Sequence, residues 1–140
     1  TGSLTKNLHH KVMKNNANGY SLAKWANEII SVNSAAISTS RSISLYNFET
    51  YFTDFTWFVD FGDERSLIYA DFLKSKKINW IIFHGKELQT KPFEKCLGEE
   101  KAKKSKVGQK VGRNPFNKFE KYDAWIYEFK YDLLPDCLVR

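Results

Sequence analysis

The sequence predicts an α+β fold: helices first, then a mainly antiparallel sheet. Three observations carry that expectation. Residues 21–30 place Leu22, Trp25, Ala26, Ile29 and Ile30 at the i, i+3, i+4, i+7, i+8 spacing of one helical face. Residues 50–61 alternate instead, with Tyr51, Phe55, Trp57, Val59 and Phe61 on one side and Asp54, Thr56 and Asp60 on the other. That is the period of a half-buried strand. Residues 122–131 read as another strand, and the apolar run Ile78 to Phe83 has the character of a strand buried on both faces.

Taken in order, the N-terminal elements are helical. A short helix is expected around Leu8, Val12 and Met13, then the amphipathic one, with Ser21 as its N-cap behind the Asn18-Gly19 turn. Six serines between Ser31 and Ser44 offer the backbone local hydrogen bonds, so that stretch reads as loop with short strand content. The strand at 50–61 stops at Gly62-Asp63. A short helix follows within Leu67 to Lys76, and His84-Gly85 closes the apolar strand. The strand at 122–131 leads to Leu133-Leu134-Pro135, and Leu138-Val139 adds a last short strand.

Composition narrows the class. The chain has 140 residues, one domain's worth, with 42% hydrophobic and 27% charged residues, which excludes wholesale disorder. Aromatic residues reach 16%, enough large side chains to fill a core. No apolar run is long enough to cross a bilayer as a helix. Thr1-Gly2-Ser3 reads as the remnant of a cleaved tag, which leaves residues 4–140 as a single domain. Cys96 and Cys137 lie in no CxxC pair, cannot make a disulfide framework, and read as buried inert thiols. A reducing, intracellular compartment follows from that reading, the nucleus if the source is eukaryotic.

Charge is the most informative feature. The net charge is +6, and residues 95–121 hold nine bases against three acids, so this segment carries the whole excess. With Gly98, Gly108, Gly112 and Pro115 among the lysines it reads as a long basic loop. Lys101, Lys103, Lys104, Lys106, Lys110 and Arg113 are the candidate contacts to a polyanion, either nucleic acid or an acidic protein surface. A merely solubilising loop has the same composition. Phe116 and Phe119, set among these bases, are candidate base-stacking residues.

Catalytic chemistry finds less support. His9 and His10 are adjacent and His84 is isolated, so no metal site is expected and no cofactor is called for. No phosphate-cradling glycine loop is present. Glu128 and Lys130, with Asp60 upstream, fit the carboxylate and lysine pattern of a metal-dependent nuclease of toxin or phage type. Alternating charges on a solvated strand face produce the same text. The sequence therefore favours a non-catalytic binding domain, with the small nuclease as its alternative.

Two stretches resemble the ADP-ribosyltransferase fold of the PARP family. Leu67 to Ser75 is similar to the family's tyrosine-bearing strand and following helix, and Trp80 to Phe83 leads to Gly85-Lys86 as it does there. Trp125-Ile126-Tyr127 and Leu134 to Val139 resemble the closing strands, also in the catalytically dead PARP-like domain of TASOR-type silencing proteins. The resemblance implies a split-sheet fold, with Tyr69 in the place of the nicotinamide-stacking tyrosine and Asp123 near that of the catalytic glutamate. The family's His-Gly pair is missing, Leu8-His9-His10-Lys11 being the nearest text, and Glu64-Arg65-Ser66 stand where glycines precede the tyrosine. The resemblance thus implies a pseudoenzyme with a vestigial NAD pocket.

Overall fold

Residues 19–40, 43–53, 64–110 and 119–138 are described by the structure, a computed structural model. Helix α1 (Tyr20–Ile29) buries Leu22, Ala23, Trp25 and Ala26, the face its periodicity predicts. Its N-cap is Gly19 rather than Ser21: Gly19 takes a left-handed φ of 81°, and its carbonyl accepts the Ala23 N–H at 3.0 Å. Only glycine enters that conformation without steric cost, so the turn glycine sets the start and Ser21 falls inside the helix.

Strand β1 (Ala35–Ser38) follows, then β2 (Glu49–Phe52), helix α2 (Glu64–Ser75) and β3 (Trp80–Gly85). A 3₁₀ turn at Glu94–Cys96 leads into β4 (Leu97–Lys110), β5 (Phe119–Phe129) and a second 3₁₀ turn at Tyr131–Leu133. The five strands form one sheet in the order β2-β1-β3-β5-β4. The α+β class is thus observed, and the sheet is mixed: β1 runs parallel to β2 and β3, whereas β5 runs antiparallel to β3 and β4.

Alternation along the strands builds two cores. Ile37, Ile81, Phe83, Trp125 and Phe129 pack with Ala70 and Leu73 of α2. Ala36, Ile82, Ala124 and Ile126 point the other way and pack with Leu22, Trp25 and Ala26 of α1. A helix on each face is why the run from Ile78 to Phe83 lacks a polar side. No helix among the described residues is long and apolar enough to cross a membrane.

Several expectations are corrected here. Residues 67–69 are helical, within α2, so Tyr69 does not sit on a strand. His84 and Gly85 are the last residues of β3 rather than a break after it. The basic segment is a 14-residue strand, not a loop, from Leu97 to Lys110. Cys96 and Cys137, expected as free thiols, are joined in a disulfide with their Cα atoms 5.1 Å apart. The 3₁₀ turn ending at Cys96 and the turn after Leu133 bring the two side chains into the α2-side core. Leu138 lies outside any strand. The helix expected around Leu8, the strand beyond Thr53, Trp57 and Asp60, and Arg113, Phe116 and Val139 all lie outside the described residues.

Candidate functional site

Two features concentrate polar chemistry: the outer strand β4 and a cleft at one end of the sheet.

Strand β4 lies at the sheet edge and pairs with β5 along its inner side. Its pairing register shifts between Leu97 and Glu100, between Glu100 and Ala102, and between Lys104 and Val107. Irregular edge strands of this kind, studded with lysine, resist strand-to-strand association. At the last shift Lys106 adopts a φ of 59°, and its N–H donates to Asp123 Oδ1 at 3.2 Å. Lys101, Lys103, Lys104 and Lys106 are all exposed. Lys103 faces Trp125 across the ladder and holds its Nζ 5.4 Å from the indole centroid. Its aliphatic stem helps cover that ring while the ammonium stays in water. Lys110 pairs through its backbone with Phe119 where the hairpin leaves the described residues. Four of the six sequence-predicted basic residues are therefore exposed on this edge strand, with Lys103 and Lys104, opposite Trp125 and Ala124, on opposite faces of the sheet.

The other predicted residues have structural partners instead. Asp123, in the first half of β5, supports the Lys106 bulge. The ring of Tyr69 stacks 6.1 Å from Phe72 on α2, and burial pushes its phenol pKa up, partly offset by Thr53. Glu128 is exposed, and its carboxylate occupies the space over Gly98, 2.5 Å from where a Cβ would stand there. Lys130 is exposed, and its N–H donates to the Cys96 carbonyl at 2.8 Å. No group of three His, Cys, Asp or Glu side chains among the described residues could hold a metal ion.

The cleft is the feature the sequence did not disclose. It measures about 410 Å³ and is lined by Thr39, His84, Lys86, Glu87, Gln89 and Tyr122 among others. Thr39 follows β1, and the segment from His84 to Gln89 ends β3 and continues past it. The adjacent parallel strands β1 and β3 thus deliver their carboxyl ends here. From this point the chain leaves β1 toward β2 on one side and leaves β3 toward β4 on the other. Such a switch point opens a crevice in which α/β sheets bind ligands. The Thr39 hydroxyl oxygen accepts the His84 N–H at 3.0 Å and ties the two strand ends together. His84 Nε2 donates to the Val107 carbonyl at 3.2 Å, and the ring meets Tyr122 edge-on at 5.6 Å. Burial lowers the His84 pKa from its ordinary value, with the Val107 carbonyl opposing the shift, so the imidazole is neutral at pH 7.

With this geometry in view, comparison with known proteins returns one family model, the DUF1420 C-terminal domain, over residues 14–139. The chain belongs to the DUF1420 C-terminal domain family. Among the described residues the match spans α1, α2, the five strands and the disulfide. No curated protein and no solved structure matches this family member.

Proposed function

We propose that this domain is a non-catalytic binding module whose basic edge strand docks an acidic protein surface. The observation that carries the reading is the four exposed lysines of the edge strand β4, Lys101, Lys103, Lys104 and Lys106, which put positive charge on both faces of the sheet edge. Lysines on a paired strand have a more ordered backbone than the same residues on a loop, so less conformational entropy is lost on docking. Lysine and bulges disfavour addition of another strand to this edge. The contact is therefore made by side-chain charge, which suits a folded acidic surface. The Cys96–Cys137 disulfide supports an oxidising compartment over the intracellular or nuclear placement expected from the sequence, and such compartments hold little nucleic acid. Trp80 and Trp125 pack against the two cores, which leaves them poor platforms for stacking bases.

The test is fluorescence anisotropy with labelled poly-glutamate and with labelled single- and double-stranded DNA, each titrated across salt concentrations. The expected result is poly-glutamate binding that weakens steeply with salt and disappears when the four lysines are replaced by glutamate. Absence of poly-glutamate binding at low salt overturns the proposal, and tight binding of DNA alone replaces the acidic partner with a nucleic acid.

A further inference from the structure

We infer that the cleft at the carboxyl ends of β1 and β3 binds a free α-amino acid with an apolar side chain. The inference does not depend on the lysines of β4. Its first support is position. Thr39 and the segment from His84 to Gln89 meet at the switch point of the parallel strands, where a crevice forms without any further loop.

Size comes next. A space of about 410 Å³ sits at the small end of ligand pockets, which run from roughly 300 to 1,000 Å³. That suits a monomer rather than a chain segment.

Charge then selects the class. Lys86 and Glu87 both line the cleft and both are exposed, one ammonium and one carboxylate on consecutive residues. Neither side chain is engaged by another described residue. His84 adds no charge, because its ring is neutral while Nε2–H is held by the Val107 carbonyl. The lining charges therefore cancel while remaining separate. A simple anion would gain Lys86 and meet the Glu87 carboxylate. A simple cation would face the reverse problem. A zwitterion presents its carboxylate to Lys86 and its ammonium to Glu87, and both contacts are charge-assisted hydrogen bonds. Tyr122 and the imidazole supply an aromatic side to this space, which suits an apolar side chain. The Gln89 amide and the Thr39 hydroxyl bring further donors to the rim.

Isothermal titration calorimetry of the full chain tests this with L-phenylalanine and L-leucine as probes. Each is compared with its amide, which lacks the carboxylate, and with its N-acetyl form, which lacks the ammonium. At least one free amino acid is expected to bind saturably, with each blocked form weaker by about tenfold or more, the loss of one charge-assisted contact. Lys86→Gln should abolish the preference over the amide, and Glu87→Gln the preference over the N-acetyl form. Both side chains are exposed, so both variants should keep the wild-type circular dichroism and melting curve. Absence of saturable binding by either amino acid overturns the inference. So does equal affinity for free and blocked forms, or binding that neither substitution alters.

Discussion

His84 on β3 donates from Nε2 to the carbonyl of Val107 on β4, while its Nδ1 is buried with no hydrogen-bond partner among the described residues. Strand β5 lies between β3 and β4 in the sheet, so this hydrogen bond reaches over an intervening strand. It ties the basic hairpin to the centre of the fold. The same ring forms part of the cleft, so the two polar features of the domain share one residue.

A pH dependence follows. Burial lowers the folded-state pKa of His84 below its unfolded value of about 6.5. The unfolded chain therefore takes up this proton first as pH falls. Stability is fully present above about pH 6.5 and is lost as pH drops toward the folded-state pKa, with a slope of at most about 1.4 kcal/mol per pH unit for one proton. Lys86 and Glu87 on the following segment and Tyr122 on β5 are the titratable neighbours in the cleft. Urea denaturation between pH 7 and 5 should show a falling midpoint, and His84→Gln should flatten that slope. An unchanged slope in the variant would assign the effect to other groups.

The bulge at Lys106 gives an independent prediction. A lysine at φ 59° carries a left-handed backbone that costs about 1–2 kcal/mol relative to the right-handed region, and the Asp123 carboxylate secures it by accepting the Lys106 N–H. Lys106→Gly should therefore be neutral or stabilising by up to about 1 kcal/mol, since glycine relieves the strain but loses more chain entropy. Lys106→Val should destabilise, and Asp123→Ala should cost about 1 kcal/mol through the lost hydrogen bond. Thermal melts of the three variants check the order. A destabilising Lys106→Gly would show that the left-handed backbone is not what limits this position.

These two relationships also mark what could be read in the sequence. Helix α1 was legible because its whole apolar face repeats at 3.6 residues, and β3 because it is buried on both sides. Strand β4 was not. Its described residues contribute only Ala102 and Val107 to the α1-side core, so no alternation survives among its lysines and glycines. Pairing with β5, rather than any intrinsic preference of these residues, makes it a strand. The individual basic residues are legible from charge alone, while their place on a sheet edge depends on that pairing. The cleft was hidden for another reason: Thr39, His84 and Tyr122 come from three segments that only the strand order assembles. An isolated histidine at the end of an apolar strand was the available signal.

Tyr46 predicts behaviour at the alkaline end. Its hydroxyl lies 3.5 Å from Ser38 Oγ beneath β1, and burial pushes its pKa up to about 12 despite that hydrogen bond. Above pH 10 the unfolded tyrosine ionises while the folded one stays protonated, so stability is lost between about pH 10 and 12. Tyr51 rises to about 12 as well, through its hydrogen bond to Glu49. Tyr46→Phe should reduce the alkaline loss of stability, and Tyr46→Phe with Tyr51→Phe should reduce it further. Denaturation midpoints at pH 9, 10.5 and 11.5 measure both effects.

The disulfide makes the last prediction, because it closes a long stretch of chain. Cys96 and Cys137 are separated by 41 residues, and this interval contains β4, β5 and the final 3₁₀ turn. Closing a loop of that length restricts the unfolded chain by about 4 kcal/mol in the chain-entropy model, within the 2–5 kcal/mol usual for native bridges in small domains. Both sulfur atoms lie in the α2-side core beside Phe93 and Phe129, so the bond also holds the C-terminal turn against that core. Replacing both cysteines by alanine should lower stability by about this amount, and dithiothreitol should destabilise the wild type while leaving the double variant unchanged. Such a loss is a large fraction of the 5–15 kcal/mol that holds a domain of this size together. Protein produced in a reducing cytosol should therefore melt earlier than protein exported to an oxidising compartment, and air oxidation should remove the difference. Thiol trapping followed by mass spectrometry reads the state of the pair directly. Two free thiols in protein recovered from an oxidising compartment, with a melting temperature equal to that of the double variant, would show that the bridge contributes nothing to this fold.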